Sequence, residues 1–201
     1  MPQHHPHAMI TSKSEPFENY LTESIQALEA MHSSAFKQQL QHAFDILTNS
    51  LLNNHKLLIA GNGGSAADAQ HFAAELIGRF KFNRKALPAI ALTTDSSVLT
   101  AIANDFGYEQ LFTRQLEGLA LPGDVLIGIT TSGTSKNVLA ALEMCGQKGI
   151  STIALTGSSG LQHGTADVVL TAPSSNTAVI QQCHEVCLHF LCSALEQQLI
   201  S

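Results

Sequence analysis

The chain has 201 residues, of which 44% are hydrophobic, and this length suits a single domain that buries about 70% of its unfolded surface. Ten Lys and Arg face sixteen Asp and Glu, for a net charge of −6 with no basic run, so we expect no nucleic-acid binding through phosphate neutralisation. The first residues, MPQHHPHAMITSKSEP, lack a signal-peptide pattern, and no run reaches the ~18 apolar residues of a membrane span. We therefore expect a cytoplasmic protein with no membrane partner.

Two amphipathic helices are predicted before the first strand. Residues 1–14 are polar and are expected to be a disordered lead-in, with a single domain over residues 15–201. Apolar residues recur every three or four positions over 17–31 and 35–52, as in Leu40, Phe44 and Leu47. Two such helices exceed what one sheet face needs, so we expect their surplus surface to pack against another subunit.

Five short, β-rich apolar runs follow, and helix-compatible segments separate most of them. The runs cover residues 56–60, 89–92, 124–130, 151–155 and 167–171. Helices are predicted around 98–103 and 109–119, and a long one over 178–199. Strands that alternate with helices predict an α/β fold, a three-layer doubly wound sandwich with a mostly parallel sheet.

The four cysteines are Cys145, Cys183, Cys187 and Cys192, and no two form a C-x-x-C pair. Three of them share one helical segment. Cysteines four residues apart on a helix are more often core than ligands, so we expect free, buried thiols.

A glycine turn joins the first strand to a helix, in the sequence GNGGSAADAQHFAAELIGR of residues 61–79. Glycines let the backbone approach a ligand, and the helix amides that follow can bind an anion. His71 and Glu75 lie four residues apart, so a metal ligand and a carboxylate base could leave the same helical face; a solvated surface pair is the alternative. The turn also fits G-x-G-x-x-A, but the first acid after the next strand is Asp95, too far for the ribose ligand of a dinucleotide site.

A second loop, ITTSGTSKN at residues 129–137, also joins a predicted strand to a helix. It supplies five hydroxyls, from Thr130, Thr131, Ser132, Thr134 and Ser135. A helix cap needs only one or two hydroxyls, whereas hydroxyls with free helix amides suit a phosphate monoester. Both loops should meet at the carboxyl edge of the sheet, where open α/β sheets bind ligands, and a sugar phosphate fits that arrangement.

Four motifs in order support a resemblance to a known family: GNGGSAADAQHFAAEL, AIANDFG, GDVLIGITTSGTSKNV and IQQCHEVCLH. Together they resemble the sugar isomerase (SIS) domain, a flavodoxin-like fold, and within it the bacterial isomerases of phosphorylated heptoses. The similarity runs from about residue 17 to the C-terminus. It implies a homotetramer with active sites between subunits, which interconverts sedoheptulose 7-phosphate and D-glycero-D-manno-heptose 7-phosphate in lipopolysaccharide precursor synthesis.

The resemblance also implies roles for individual residues. It gives Glu75 and His189 as the catalytic acid/base pair. It gives one zinc ion per subunit, with His71, Glu75, Gln181 and His189 as ligands. The substrate-binding residues that it implies are Asn62, Gly63, Gly64, Glu75, Asn104, Asp105, Thr130, Thr131, Ser132, Ser135 and Gln181.

The chemistry expected of these residues is proton transfer between C1 and C2 through an enediol. Glu75 would serve the carbon-bound proton and His189 the oxygens, while zinc would polarise the carbonyl; whether Glu75 is base, ligand or both stays open. Gln181 and His189 are eight residues apart, about 12 Å of helix rise, which makes His184 a tempting substitute. The resemblance, not the periodicity, selects His189.

The sequence departs from the family pattern at Ala178 and Val179, where close relatives usually carry a charged pair. Arg79 stands in the family's usual place and could steer an anionic substrate; the alternative is a solvated residue at a helix end, where a cation is favoured. The main alternative function is a non-catalytic SIS protein that binds the bacterial replication initiator and regulates chromosome replication. Residues 93–105 resemble that SIS protein at least as well as they resemble the isomerase. The presence of Glu75 and His189 favours the enzyme. Another SIS activity, an aminosugar-phosphate isomerase or a sugar-phosphate-sensing regulator, is a further alternative, and the missing DNA-binding segment speaks against a regulator.

Overall fold

The computed structural model describes residues 15–162 and 164–199, so the expected lead-in over residues 1–14 lies outside the described residues. The helices are α1 (Glu15–Ala30), α2 (Ser34–Leu52), α3 (Gly64–Ile77), α4 (Ser96–Phe106), α5 (Thr113–Leu119), α6 (Lys136–Gln147) and α7 (Thr177–Leu199). The strands are β1 (Leu57–Gly61), β2 (Ala89–Ala91), β3 (Val125–Thr130), β4 (Ser151–Thr156) and β5 (Val168–Thr171). Each predicted strand is confirmed to within a residue or two. The helix predicted over 109–119 is a 3₁₀ turn at Tyr108–Gln110 followed by α5.

The five strands form one parallel sheet in the order β2-β1-β3-β4-β5. The strands β1 and β3 are buried along their whole length, as expected of a sheet covered on both faces. The order reverses between β1 and β3, which are neighbours, with Gly61 paired to Ile129. The two loops that follow these strands therefore start side by side at the point where a doubly wound sheet opens a crevice.

Helices cover both faces of the sheet, which confirms the three-layer architecture. One core cluster joins α1, α2, α3 and α7 to the sheet and includes Leu47, Phe72 and Leu188. The other joins α4, α5 and α6 to the opposite face and includes Phe112 and Leu142. Across the described residues, no helix is long and apolar enough to cross a membrane.

The four cysteines are free and buried, as the sequence predicts. Burial raises the pKa of Cys187 to about 12, so its thiol stays protonated at neutral pH. Cys183, Cys187 and Cys192 pack inside the core on the sheet-facing side of α7. The polar residues of α7 that remain accessible consequently lie on its other side.

Candidate active site

The helices α3 and α7 lie side by side and run in the same direction. At the start of α3, the Gln181 amide fills the space where a side chain on Gly64 would stand. Further along, His71 contacts Glu185 and then His189. Beyond the end of α3, the backbone amides of residues 80–82 reach Glu196. Residues from the two helices are thus matched in register, one turn after another.

His71, Glu75 and His189 form one cluster on this pair of helices. The Nε2 atom of His71 lies 3.1 Å from Oε1 of Glu75 and 3.4 Å from Nε2 of His189. The side chains of both histidines are 43% exposed, so the cluster is open to a ligand. The acid/base pair expected from the sequence, Glu75 and His189, therefore contacts a common atom.

Glu185 is a further member of this cluster that the sequence analysis missed. Its Oε1 lies 3.4 Å from Nδ1 of His71, and its Oε2 lies 3.3 Å from Nε2 of His189. Behind it, Asp68 is buried against the Glu185 carboxyl, and one of its oxygens, Oδ2, has no hydrogen-bond partner. Burial, and after it the charge of Glu185, raises the pKa of Asp68 to about 6.

A buried network fixes the end of α3 beside this cluster. The Glu196 carboxylate accepts hydrogen bonds from the backbone amides of residues 80–82 and from Nε of Arg84. Arg84 in turn donates to the backbone carbonyls of Glu75 and Leu76, each at 2.8 Å. The Phe80 ring stacks on His189, with 5.4 Å between ring centroids. The backbone of Glu75 and the ring of His189 are consequently held by the same network.

The donor atoms of the cluster fit a zinc ion. A tetrahedral zinc with bonds of about 2.0–2.1 Å to nitrogen or oxygen separates neighbouring ligand atoms by about 3.3 Å. Nε2 of His71 lies 3.1 Å from Oε1 of Glu75 and 3.4 Å from Nε2 of His189, and Nε2 of His189 lies 3.3 Å from Oε2 of Glu185. Ligand atoms that all lie within 4.8 Å of one another come from His71, Glu185 and His189.

The two loops at the carboxyl edge are joined by side-chain amides. Asn62 in the glycine turn and Asn137 at the start of α6 form a reciprocal pair, with both N···O distances at 2.9 Å. Tyr108 donates its hydroxyl to Oδ1 of Asn62 at 2.8 Å. Tyr108 and Asn137 therefore order the crevice, although neither was singled out from the sequence.

The hydroxyl loop is shaped by Gly133, whose φ of +70° and close approach to the Gly160 carbonyl leave no space for a side chain. Within the loop, Thr130 donates to the Ser135 hydroxyl, and Ser132 accepts hydrogen bonds from the amide and hydroxyl of Thr134. Ser135 is the N-cap residue of α6 and makes no side-chain cap bond. The hydroxyls thus support one another around the helix N-terminus instead of capping it.

The remaining residues expected at the site lie around its edges. The Gln181 amide lies against Gly64 at the start of α3. Asn104 donates to Asp105 at the exposed end of α4, and Arg79 is exposed beyond α3. His184 is buried, with Nε2 3.2 Å from the Thr156 carbonyl, and burial lowers its pKa to about 4. His184 is therefore a neutral core residue and not the substitute ligand that its spacing suggests.

Ala178 and Val179, which depart from the family's charged pair, lie in the first turn of α7. Val179 is fully buried in the core cluster, where a charged side chain would lose its hydration. Ala178 is exposed, and its amide is capped by Asn176. The start of α7 is therefore built here without charged side chains.

The sequence is similar to a known family and to named relatives within it. The SIS domain family model matches residues 19–157. Phosphoheptose isomerase of Geotalea uraniireducens is 55% identical over 159 residues, which cover 77% of this chain and 82% of that protein. The enzyme of the same name from Geobacter sulfurreducens is 49% identical over 175 residues, covering 87% and 92%.

Two solved structures of phosphoheptose isomerases are also similar to this chain. The phosphoheptose isomerase GmhA of Neisseria gonorrhoeae is 39% identical, with a TM-score of 0.82 over 91% of this chain and 98% of that one. A phosphoheptose isomerase of Francisella tularensis is 36% identical, with a TM-score of 0.87 over 93% and 100%. This chain therefore belongs to the SIS domain family and, within it, to the phosphoheptose isomerases.

Proposed function

We propose that the protein is an aldose–ketose isomerase that converts sedoheptulose 7-phosphate to D-glycero-D-manno-heptose 7-phosphate, a precursor of lipopolysaccharide heptose. The observation that carries the proposal is the cluster in which Glu75 and His189, from two different helices, both contact Nε2 of His71. The similarity to phosphoheptose isomerases over most of the chain supports the substrate class.

In the proposed reaction, the Glu75 carboxylate removes a proton from C1 of the ketose and returns it to C2. His189 donates a proton to the C2 carbonyl oxygen and accepts one from the C1 hydroxyl, so the enediol collapses to the aldehyde. Both groups sit on rigid helices, and stacking on Phe80 fixes the His189 ring. Positioned side chains of this kind each contribute about 10²–10⁴ to the rate.

His71, His189 and neighbouring carboxylates would hold the zinc ion. When bound, zinc supplies Lewis-acid polarisation of the substrate carbonyl. The donor set of two imidazoles and carboxylate oxygens is typical of zinc sites in enzymes, which supports this assignment.

The substrate phosphate would bind at the loop of Thr130, Thr131, Ser132 and Ser135, where hydroxyls surround the N-terminus of α6. The sugar would lie across Asn62, Gly63 and Gly64, towards Asn104 and Asp105. The Asn62–Asn137 pair supports this assignment because it ties the two loops together. Gln181, which contacts Gly64, would border the same space.

A coupled assay of heptose 7-phosphate formation tests the proposal. Purified protein supplied with zinc is expected to convert sedoheptulose 7-phosphate, with the product identified by NMR spectroscopy. The alternative of a non-catalytic partner of the replication initiator predicts no turnover and a measurable complex with the initiator. The similarity to proteins named phosphoheptose isomerase favours the enzyme.

We also propose that the active form is a homotetramer whose subunit contacts lie beside the cluster. The exposed cluster is flanked by Val186 and Phe190, each 47% exposed on α7. These residues also line an apolar groove of about 580 Å³ between α1, α2 and α7. A neighbouring subunit on this surface would exclude water from the acid/base pair, which strengthens its electrostatic interactions.

The change Phe190→Glu is expected to break the tetramer, because it places a charge in this apolar surface. Light scattering after gel filtration should report a smaller species, and turnover should fall with it. Leu121→Glu is the matched control, since Leu121 is 61% exposed in the turn between α5 and β3. A Phe190→Glu protein with the same mass as the unmodified chain would show that this surface is not the contact.

A further inference from the structure

We propose that Tyr108 is a positioning residue for the sugar phosphate. Together with Asn137 it holds the Asn62 amide so that one N–H of that amide is left for a hydroxyl oxygen of the sugar. The inference rests on the proposed function and deepens it, because it names the kind of substrate atom that the glycine turn binds. Tyr108 acts through Asn62 and does not itself touch the sugar.

The backbone of α6 fixes which way the Asn137 amide faces. The Val138 amide N–H can only donate, and it donates to a side-chain atom of Asn137 at 3.0 Å, so that atom is the oxygen Oδ1. The nitrogen of the Asn137 amide is therefore the atom that donates to Oδ1 of Asn62, at 2.9 Å. Asn137 is only 2% exposed, so water competes little for this pair. The orientation of the Asn62 amide follows from that of Asn137.

The hydrogen bonds of Asn62 leave one of its polar hydrogens unused. Its Oδ1 accepts from Nδ2 of Asn137 and from the Tyr108 hydroxyl, which occupies both lone pairs. Its Nδ2 donates one N–H to Oδ1 of Asn137. Within the described part of the chain, the second N–H makes no hydrogen bond. Because Asn62 is half-buried at the crevice, this N–H is accessible to a ligand, and the ligand atom must be an acceptor such as a hydroxyl oxygen.

Tyr108 is held in place from two sides. It begins the 3₁₀ turn Tyr108–Gln110, directly after the end of α4 that is proposed to border the sugar. Glu109 in the same turn pairs with Lys136 at the start of α6, at 2.8 Å. The Tyr108 hydroxyl then reaches across to the glycine turn, where it donates to Oδ1 of Asn62 at 2.8 Å. Tyr108 thus connects α4, α6 and the glycine turn around one amide.

This role predicts a particular kinetic signature. A sugar hydroxyl away from the reacting carbons is bound equally in the ground state and in the transition state. Weakening its contact with Asn62 therefore raises KM and leaves kcat nearly unchanged. The expected signature of Glu75→Gln is the opposite, a lower kcat.

Tyr108→Phe is the first test, because it removes the hydroxyl and keeps a ring that is 58% exposed. Calorimetry in Glu75→Gln protein measures binding without turnover. The expected result is an affinity for sedoheptulose 7-phosphate that falls about three- to tenfold, the effect of one hydrogen bond. The affinity for inorganic phosphate, measured by displacement, should change less than twofold. Tyr20→Phe, which removes a tyrosine hydroxyl on the opposite face of the sheet, is the matched control and should change neither affinity.

A double-mutant cycle distinguishes the indirect role of Tyr108 from a direct one. In an Asn62→Ala background, Tyr108→Phe should cause no further loss of affinity for sedoheptulose 7-phosphate, because its route to the sugar is already gone. A loss of equal size in both backgrounds would show that the hydroxyl touches the sugar, and would overturn the inference. A Tyr108→Phe protein with unchanged affinity would overturn it as well.

Asn137→Asp tests the other support of the Asn62 amide. Aspartate keeps an acceptor for the Val138 N–H but replaces the donor nitrogen with an oxygen that repels Oδ1 of Asn62. We expect the affinity for sedoheptulose 7-phosphate to fall at least threefold more than that for inorganic phosphate, since both ligands feel the added charge equally. Equal losses would contradict the inference.

The unmodified chain separates this inference from the proposed function. Binding of sedoheptulose 7-phosphate that shows the expected cycle but no turnover would refute the proposed function and leave the inference standing. Normal turnover with additive effects of the two substitutions would refute the inference alone.

Discussion

Replacing Glu75 with glutamine is expected to lower kcat for sedoheptulose 7-phosphate by about 10²–10⁴, the contribution of a positioned general base. Glutamine has the same shape and can keep the 3.1 Å contact with His71, so the cluster should persist. It cannot accept the C1 proton. In deuterated water, the unmodified enzyme should exchange solvent deuterium into the substrate carbon through the enediol, and Glu75→Gln should abolish this exchange together with turnover.

The exchange measurement separates the base from other roles. If Glu75 only helped to open the sugar ring, the open-chain substrate would still exchange its carbon-bound proton. Glu117→Gln, an exposed acid on α5 on the other face of the sheet, should leave both rates unchanged. A Glu75→Gln enzyme that keeps more than a tenth of the turnover would exclude Glu75 as the base.

The fold could be predicted from the sequence because its signals are local. Apolar, β-rich runs such as 125–130 are buried whichever helix covers them, and the alternation of strands with helices admits few topologies. The position of the hydroxyl loop between β3 and α6 could also be predicted, since its hydroxyls and Gly133 are contiguous in the sequence. Buried, free cysteines follow from helical spacing in the same way.

The composition of the cluster could not be predicted, because it depends on the register between α3 and α7. Helical periodicity places His184 and Glu185 as neighbours but does not say which faces the sheet. In the structure His184 contacts the Thr156 carbonyl in the core, while Glu185 faces His71. The resemblance selected His189 correctly as a neighbour of His71, but it contained no signal for Glu185.

The pair of Arg84 and Glu196 could not be predicted either, because its two residues are 112 positions apart in sequence and meet only through the packing of α7 beside α3. Nothing in the sequence links Arg84, in the loop after α3, to Glu196, near the end of α7. In the structure their side chains are 5% and 0% exposed, and they connect the last turn of α3 to α7. Burial works to raise the pKa of Glu196, but the hydrogen bonds from the three amides and the Arg84 charge hold it below the ordinary 4.5.

Because of this pairing, Glu196→Ala is expected to reduce the free energy of unfolding by about 3–5 kcal/mol, as it leaves the buried Arg84 charge without a partner. Urea denaturation measures the loss, and Gln197→Ala, on the exposed side of the same turn, is the control. Replacing Arg84 with methionine in the Glu196→Ala protein should recover part of the stability, since no unpaired charge remains. A loss below 1 kcal/mol would contradict the assigned role.

The network should also leave a signature in pH and in turnover. Because the folded-state pKa of Glu196 is lowered, the stabilisation by its carboxylate is present above pH 4.5 and is lost as the pH falls towards the folded-state pKa. In Glu196→Ala, the free energy of unfolding should therefore decrease less steeply with falling pH in this range. At neutral pH, the residue 80 amide loses its acceptor, and the Phe80 ring no longer holds His189 firmly. The folded variant should therefore show a lower kcat, whereas a purely stabilising contact far from the site would leave kcat unchanged.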